Sequence, residues 1–183
     1  GPLMTIKEWK NASFSALITH IVKVHHAFCR SELPRLHALF NESLNSGSQP
    51  PTSVRSMRDD FHRMGKALLQ HLDKEEMHLF PLIARLDAAE RDHTPPPQST
   101  FGSVANPIRM MVLEHGEAEA ILAEMGKLSG GFTPPQGASP EVQKLFSALR
   151  AFDEDMTVHI ELEDIVLFPR AIALEQRLLG GEA

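Results

Sequence analysis

The sequence predicts an all-α chain folded as an up-down-up-down four-helix bundle. Three observations point there. Four long stretches carry apolar residues at helical spacing among good helix formers. Three stretches rich in Pro, Gly, Ser and Asn separate them, as loops do. No run alternates with the period of two that a strand needs, and β-branched residues are thinly spread. With 183 residues, 42% of them hydrophobic, the chain suits one domain with one core.

Gly1-Pro2-Leu3 ahead of Met4 reads as the remnant of a cleaved expression tag, so residues 4–183 are expected to form the domain. The first helical stretch, roughly 11–44, carries Phe14, Leu17, Ile18, Ile21, Phe28, Leu36 and Phe40. A loop at Asn45–Thr52 leads to the second, roughly 53–90, with Met57, Phe61, Met64, Leu68, Leu72, Leu79 and Leu82. A longer loop at Asp92–Pro107 leads to the third, roughly 108–128, with Ile108, Met111, Val112, Ile121, Leu122 and Met125. A last loop at Ser129–Pro140 leads to the fourth, roughly 141–178, with Val142, Leu145, Leu149, Phe152, Met156, Ile160, Ile165 and Val166. Pro34, Pro81 and Pro169 sit inside helical patterns, and each is expected to kink or end a helix nearby.

Composition excludes several classes. One cysteine and no CxxC rule out a disulfide scaffold, a zinc ribbon and a thioredoxin-like motif. A net charge of −6 argues against a nucleic-acid partner held by phosphate contacts. No apolar run reaches the ~18 residues of a membrane helix. The native start shows no signal peptide, which points to a cytoplasmic protein. The absence of tyrosine excludes tyrosyl-radical chemistry within the chain. Ten histidines, by contrast, ask for an explanation.

One histidine per helical stretch answers: His26, His71, His115 and His159, separated by 45, 44 and 44 residues. Their midpoints, near 48.5, 93 and 137, each fall in one of the three loops. Residues equidistant from the turn between antiparallel helices lie at one depth, so the four should share a level of the bundle. Their neighbours at i±4 and i±7 are mostly apolar, which turns them inward. A carboxylate stands one turn later in three cases: Glu75, Glu119 and Glu163.

Four imidazoles and two or three carboxylates inside an apolar core are costly unless something pairs them. A bound cation does so. Six or seven N/O ligands exceed the four that zinc normally takes. They suit two metal ions bridged by carboxylates, as in other bundle di-metal sites. The spacing leaves the metal open among Fe, Mn and Zn. The alternative is a set of buried histidines satisfied by neighbouring carboxylates. An internal repeat strengthens the metal reading: His71…Pro81 and His159…Pro169 both place Glu at +4, Leu at +8, Phe at +9 and Pro at +10. Glu75 and Glu163 thereby become paired bridges under a pseudo-twofold axis. Glu119 is either a further ligand or an acceptor behind a ligand, and Asp155 and Glu114 read as supporting carboxylates. Cys29 reads as a buried structural thiol. His20, His25 and His62 are expected to point to other faces, and His78 to be packed or at the surface. Glu75-Glu-Met-His78 contains the ExxH of ferritin-like bundles, but helix four offers no second ExxH.

Four stretches together resemble the hemerythrin-like, HHE cation-binding family, and within it the di-iron domain of the repair-of-iron-centres proteins. They are THIVKVHHAFCRSELPRL (19–36), HLDKEEMHLFPLI (71–83), VLEHGEAEAIL (112–122) and HIELEDIVLFPRA (159–171). The resemblance covers nearly the whole chain. It implies two iron ions bridged by Glu75, Glu163 and an oxo or hydroxo group, with His26, His71, His115 and His159 as terminal ligands. Glu119 departs from the repair-protein pattern; oxygen-carrying hemerythrins place a histidine ligand there. Longer repair proteins also carry a small N-terminal domain with adjacent cysteines, which this sequence does not contain, so functions needing it are not carried over.

The implied function is a di-iron protein of oxidative or nitrosative stress that helps restore iron–sulfur centres and reacts with nitric oxide, oxygen or peroxide. The alternatives are a hemerythrin-like oxygen carrier or sensor, a peroxide-decomposing enzyme, and a metal-free interaction bundle. Expected partners are a small diatomic ligand or peroxide and iron–sulfur proteins, with neither nucleic acid nor membrane involved, and the chain is expected as a monomer or weak dimer.

Overall fold

The computed structural model describes residues 4–47 and 49–180; the expected tag remnant at Gly1–Leu3 lies outside them. Among the described residues there is no strand. The first long helix runs from α2 (Phe14–His20) through a π-helical segment, π1 (Ile21–His26), into α3 (Ala27–Asn45). Ser13 starts it, its side chain accepting from the Ala16 amide at 3.0 Å. The second joins α4 (Thr52–Lys74), π2 (Glu75–Leu79) and α5 (Phe80–Asp92). The third, α6 (Ala105–Leu128), is uninterrupted. The fourth joins α7 (Pro140–Glu161), π3 (Leu162–Leu167) and α8 (Phe168–Leu178). Ser139 caps it with Pro140 at the first helical position, where a missing N–H costs nothing. A short α1 (Ile6–Trp9), closed by a capping box between Thr5 and Glu8, is an element the sequence patterning does not reveal.

The helices form the expected bundle. α3 packs against α4 and α7, α4 against α6, and α5 against α2 and α8. The long loop before α6 is tied down by Glu175 of α8, which accepts from the Val104 amide at 2.9 Å and the Ser103 hydroxyl at 2.6 Å. No described helix is long and apolar enough to cross a membrane.

The prolines behave in two ways. Pro81 and Pro169 are the second residues of α5 and α8, directly after π2 and π3. A proline ring collides with the carbonyl four residues back in an α-helix; the wider π turn relieves that collision. Pro34 does not end its helix, because α3 continues through it.

The apolar interior has two parts. One lies toward the loops at 46–51 and 129–139 and includes Leu36, Phe40, Phe61, Leu72, Phe146 and Phe152. The other lies toward the opposite end and includes Leu17, Ile21, Leu79, Ile83, Met111, Val166 and Phe168. Between them is a layer of buried polar side chains.

Candidate metal centre

That layer contains His26, His71, Glu75, His115, His159 and Glu163, each at most 3% exposed. The four histidines come to one level because the helices alternate in direction and the loops centre on the expected midpoints. Two groups result, His26–Glu75–His159–Glu163 and His71–Glu75–His115–Glu163. Within each, one donor atom per residue lies within 4.8 Å of all the others. Both glutamates belong to both groups.

The donor atoms crowd together, and most of them do not pair. His71 Nε2 lies 3.0 Å from His115 Nε2. Glu75 Oε1 is 3.3 Å from His26 Nε2 and 3.2 Å from His71 Nε2. Glu163 Oε1 is 2.9 Å from His115 Nε2 and 3.4 Å from His159 Nε2. Yet His26 Nε2, His159 Nε2 and all four oxygens of Glu75 and Glu163 have no hydrogen-bond partner of proper geometry. Buried atoms left in that state cost several kcal/mol. A cation in each group satisfies them together, so the residues fit a pair of metal ions.

Burial and charge act on the titrating groups accordingly. Burial pushes Glu75 well above the usual carboxylate range, and the charge of Glu163 adds to it. Burial opposes ionisation of Glu163 as well, but His159, His115 and His26 outweigh it and hold that carboxyl well below its ordinary value. Burial lowers His71 to about 4, against the opposing charge of Glu163. It would lower His115 too, but the hydrogen bond to Asp164 and the close carboxylate of Glu163 reverse the sign and raise it to about 9. Without a cation the site must therefore hold protons in place of metal.

A second ring of carboxylates orients three of the imidazoles. Glu76 Oε2 lies 2.9 Å from His26 Nδ1, Glu114 Oε1 lies 3.1 Å from His71 Nδ1, and Asp164 Oδ1 lies 2.8 Å from His115 Nδ1. Such a partner fixes the tautomer that leaves Nε2 free for a metal. Sequence reasoning misses Glu76 and Asp164. Their signal is present: each is the second acid of an adjacent pair, Glu75-Glu76 and Glu163-Asp164, in the two copies of the repeat. Glu114 takes the supporting place expected of it. The repeated Phe residues also do equivalent things. Phe80 stacks on His26 with centroids 5.6 Å apart, and Phe168 on His115 at 6.0 Å.

Two expectations need correcting. Glu119 is exposed and belongs to neither group; it lines a groove of about 720 Å³ between α6 and α7, near Arg150. Helix direction explains this. One turn after His71 or His159 leads toward the 93–104 end, whereas one turn after His115 on antiparallel α6 leads the other way. His25 does not point to an outer face. It is 4% exposed, its Nδ1 lies 3.0 Å from Asp155, and its ring stacks on His159 with centroids 5.6 Å apart. His78 lies within π2 and is exposed, one of the two places expected of it. Cys29 is buried, and burial together with nearby carboxylates raises its thiol pKa, as suits an inert packing group.

A pocket of about 360 Å³ between α4 and α6 reaches His71, His115 and His159. Met64, Leu68, Ala118 and Ile121 are among its walls.

Known proteins share this chain's pattern. Residues 17–96 match the family model described as the hemerythrin HHE cation binding domain. The chain is 30% identical over 166 residues to a probable iron–sulfur cluster repair protein of Haemophilus influenzae, spanning 91% of this chain and 69% of that one. It is 31% identical over 169 residues to the iron–sulfur cluster repair protein YtfE of Dickeya chrysanthemi, spanning 92% and 70%. The corresponding protein of Yersinia pseudotuberculosis is 30% identical over 167 residues, spanning 91% and 69%. The chain belongs to the hemerythrin-like HHE cation-binding family, in the group of the iron–sulfur cluster repair proteins.

Proposed function

We propose that residues 4–183 form one domain that holds two iron ions and serves in oxidative or nitrosative stress, where it helps restore iron–sulfur centres. His26 and His159 hold one ion, His71 and His115 the other, and Glu75 and Glu163 bridge them. The observation behind this is the sharing of both buried glutamates by two four-residue donor groups. The names of the relatives support the repair role and iron–sulfur proteins as partners. A carboxylate-bridged iron pair supplies electron exchange with a small bound molecule such as nitric oxide, oxygen or peroxide. The chain's own part is to hold the imidazoles in one tautomer through Glu76, Glu114 and Asp164, and to keep the site apart from bulk water between two apolar cores. The 360 Å³ pocket gives a small uncharged molecule a way to His71 and His115. A single buried free cysteine agrees with a reducing, cytoplasmic setting.

Elemental analysis and anaerobic absorption spectra of the purified protein test the reading. The expected result is two iron ions per chain and a spectral change when nitric oxide meets the reduced protein. Protein that takes up no iron, or iron-loaded protein whose spectrum ignores nitric oxide, oxygen and peroxide alike, overturns it.

A further inference from the structure

The pseudo-twofold pattern of the site is complete except at one place. His26 and His115 correspond: each has a carboxylate on Nδ1, Glu76 or Asp164, and a Phe ring against its face. His71 and His159 correspond as well, but only His71 has a carboxylate on Nδ1, that of Glu114. Glu114 is the residue just before His115. Its counterpart, just before His26, is His25. A histidine therefore stands where symmetry would put a carboxylate.

His25 does not replace what is missing. Its ring lies over His159 with only 23° between the planes, a stacked arrangement in which neither nitrogen points at the other ring. Its Nδ1 is taken up by Asp155. His159 Nδ1 is left buried with no partner, and so is the second oxygen of Asp155. His159 is 1% exposed, so bulk solvent does not reach it.

From this asymmetry we propose that the two metal positions differ in lability, and that the ion held by His26 and His159 leaves first. A ligand imidazole whose outer N–H has a carboxylate partner is more basic and better oriented, and losing such a partner weakens metal binding about 10- to 100-fold. Both imidazoles of the His71–His115 position have one. Only one of the two at the His26–His159 position does. The chain thus has a firmly held ion and a releasable one, and the releasable one is what a protein that restores iron centres can hand over. This rests on the di-iron reading above, which its test keeps separate.

The test is anaerobic removal of iron from the Fe(II)-loaded protein by a coloured chelator, monitored in time. Two phases of equal size are expected, the faster by about 10-fold or more. His25→Glu, which restores the missing carboxylate, should slow the fast phase and leave the slow one. Glu114→Ala, at a partly exposed side chain, should bring the slow phase up to the fast one. A separate measurement needs no variant. The first equivalent of Zn(II) added to metal-free protein should shift the ring NMR signals of His71 and His115 before those of His26 and His159. Two ions leaving in one phase from the unaltered protein, or zinc filling the His26–His159 position first, overturns the proposal while sparing the di-iron reading. Protein that never takes up two ions sinks that reading instead.

Discussion

Glu114 offers the sharpest measure of how much the outer carboxylates matter. Its Oε1 lies 3.1 Å from His71 Nδ1 and its other oxygen accepts from Lys74 Nζ at 2.7 Å. A hydrogen bond to a charged group nets about 1.5–3 kcal/mol, and one between neutral groups about 0.5–1.5 kcal/mol. The side chain is 19% exposed, which favours the lower half of each range. Glu114→Gln keeps an acceptor and loses the charge, so about 1 kcal/mol should go, or about fivefold in metal affinity. Glu114→Ala loses the bond itself, about 1.5–2 kcal/mol, or about 10- to 30-fold. Burial holds His71 near 4, so it is unprotonated at neutral pH and no proton release clouds the comparison. Lys74→Met is the control, because it removes the ammonium and leaves the His71 bond. Competition with a chelator of known affinity measures all three. If Glu114→Ala binds metal as tightly as the parent, or Lys74→Met loses as much as Glu114→Ala, the reasoning about the outer carboxylates is wrong.

Three other outcomes are expected. His26→Ala should leave about one metal ion per chain and Glu163→Ala neither, since Glu163 serves both groups; elemental analysis giving equal loss in the two variants would count against the shared bridge. In the metal-free protein, His115 lies near 9, above its unfolded value of about 6.5. Its stabilisation is full below 6.5 and is lost as pH rises through 9, and Glu75, raised by burial, pushes the same way. The Tm of chelator-treated protein should therefore fall across that window, and a Tm independent of pH would refute the assignment. Phe152 is 1% exposed and packs against Phe28 and Phe61, so Phe152→Ala should cost about 3–5 kcal/mol in denaturant unfolding without changing metal content; a loss under 1 kcal/mol would contradict its place in the core.

The ends of the four long helices and the level of the histidines are legible in the sequence because both come from spacing and breakers alone. Loops at 46–51, 93–104 and 129–139 sit where the Pro- and Gly-rich stretches stand. The features that stay hidden depend on direction and phase. Glu119 repeats the His-to-Glu spacing, but α6 runs the opposite way to α4 and α7, so the same offset leads away from the site. His25 is misplaced by a continuous 3.6-residue helix, which π1 interrupts. Nothing in the residue types announces a π turn before the backbone is seen, although Pro81 and Pro169 mark the residues just after two of them. α1 is too short for a periodic signal.

The π turns matter for the molecule as a whole. Each adds a residue to its turn, and one residue rotates the downstream part of a regular helix by about 100°. Three of the four rods carry this offset at the polar layer, and α6 alone crosses it without interruption. The two apolar cores are therefore two half-bundles with their own angular settings, meeting at a seam. A repacking mutation in one half has only α6 to carry its register across unbroken, so each half is free to drift in sequence on its own. The seam is not, because His26 and the two shared glutamates, Glu75 and Glu163, lie in the turns where the halves are joined.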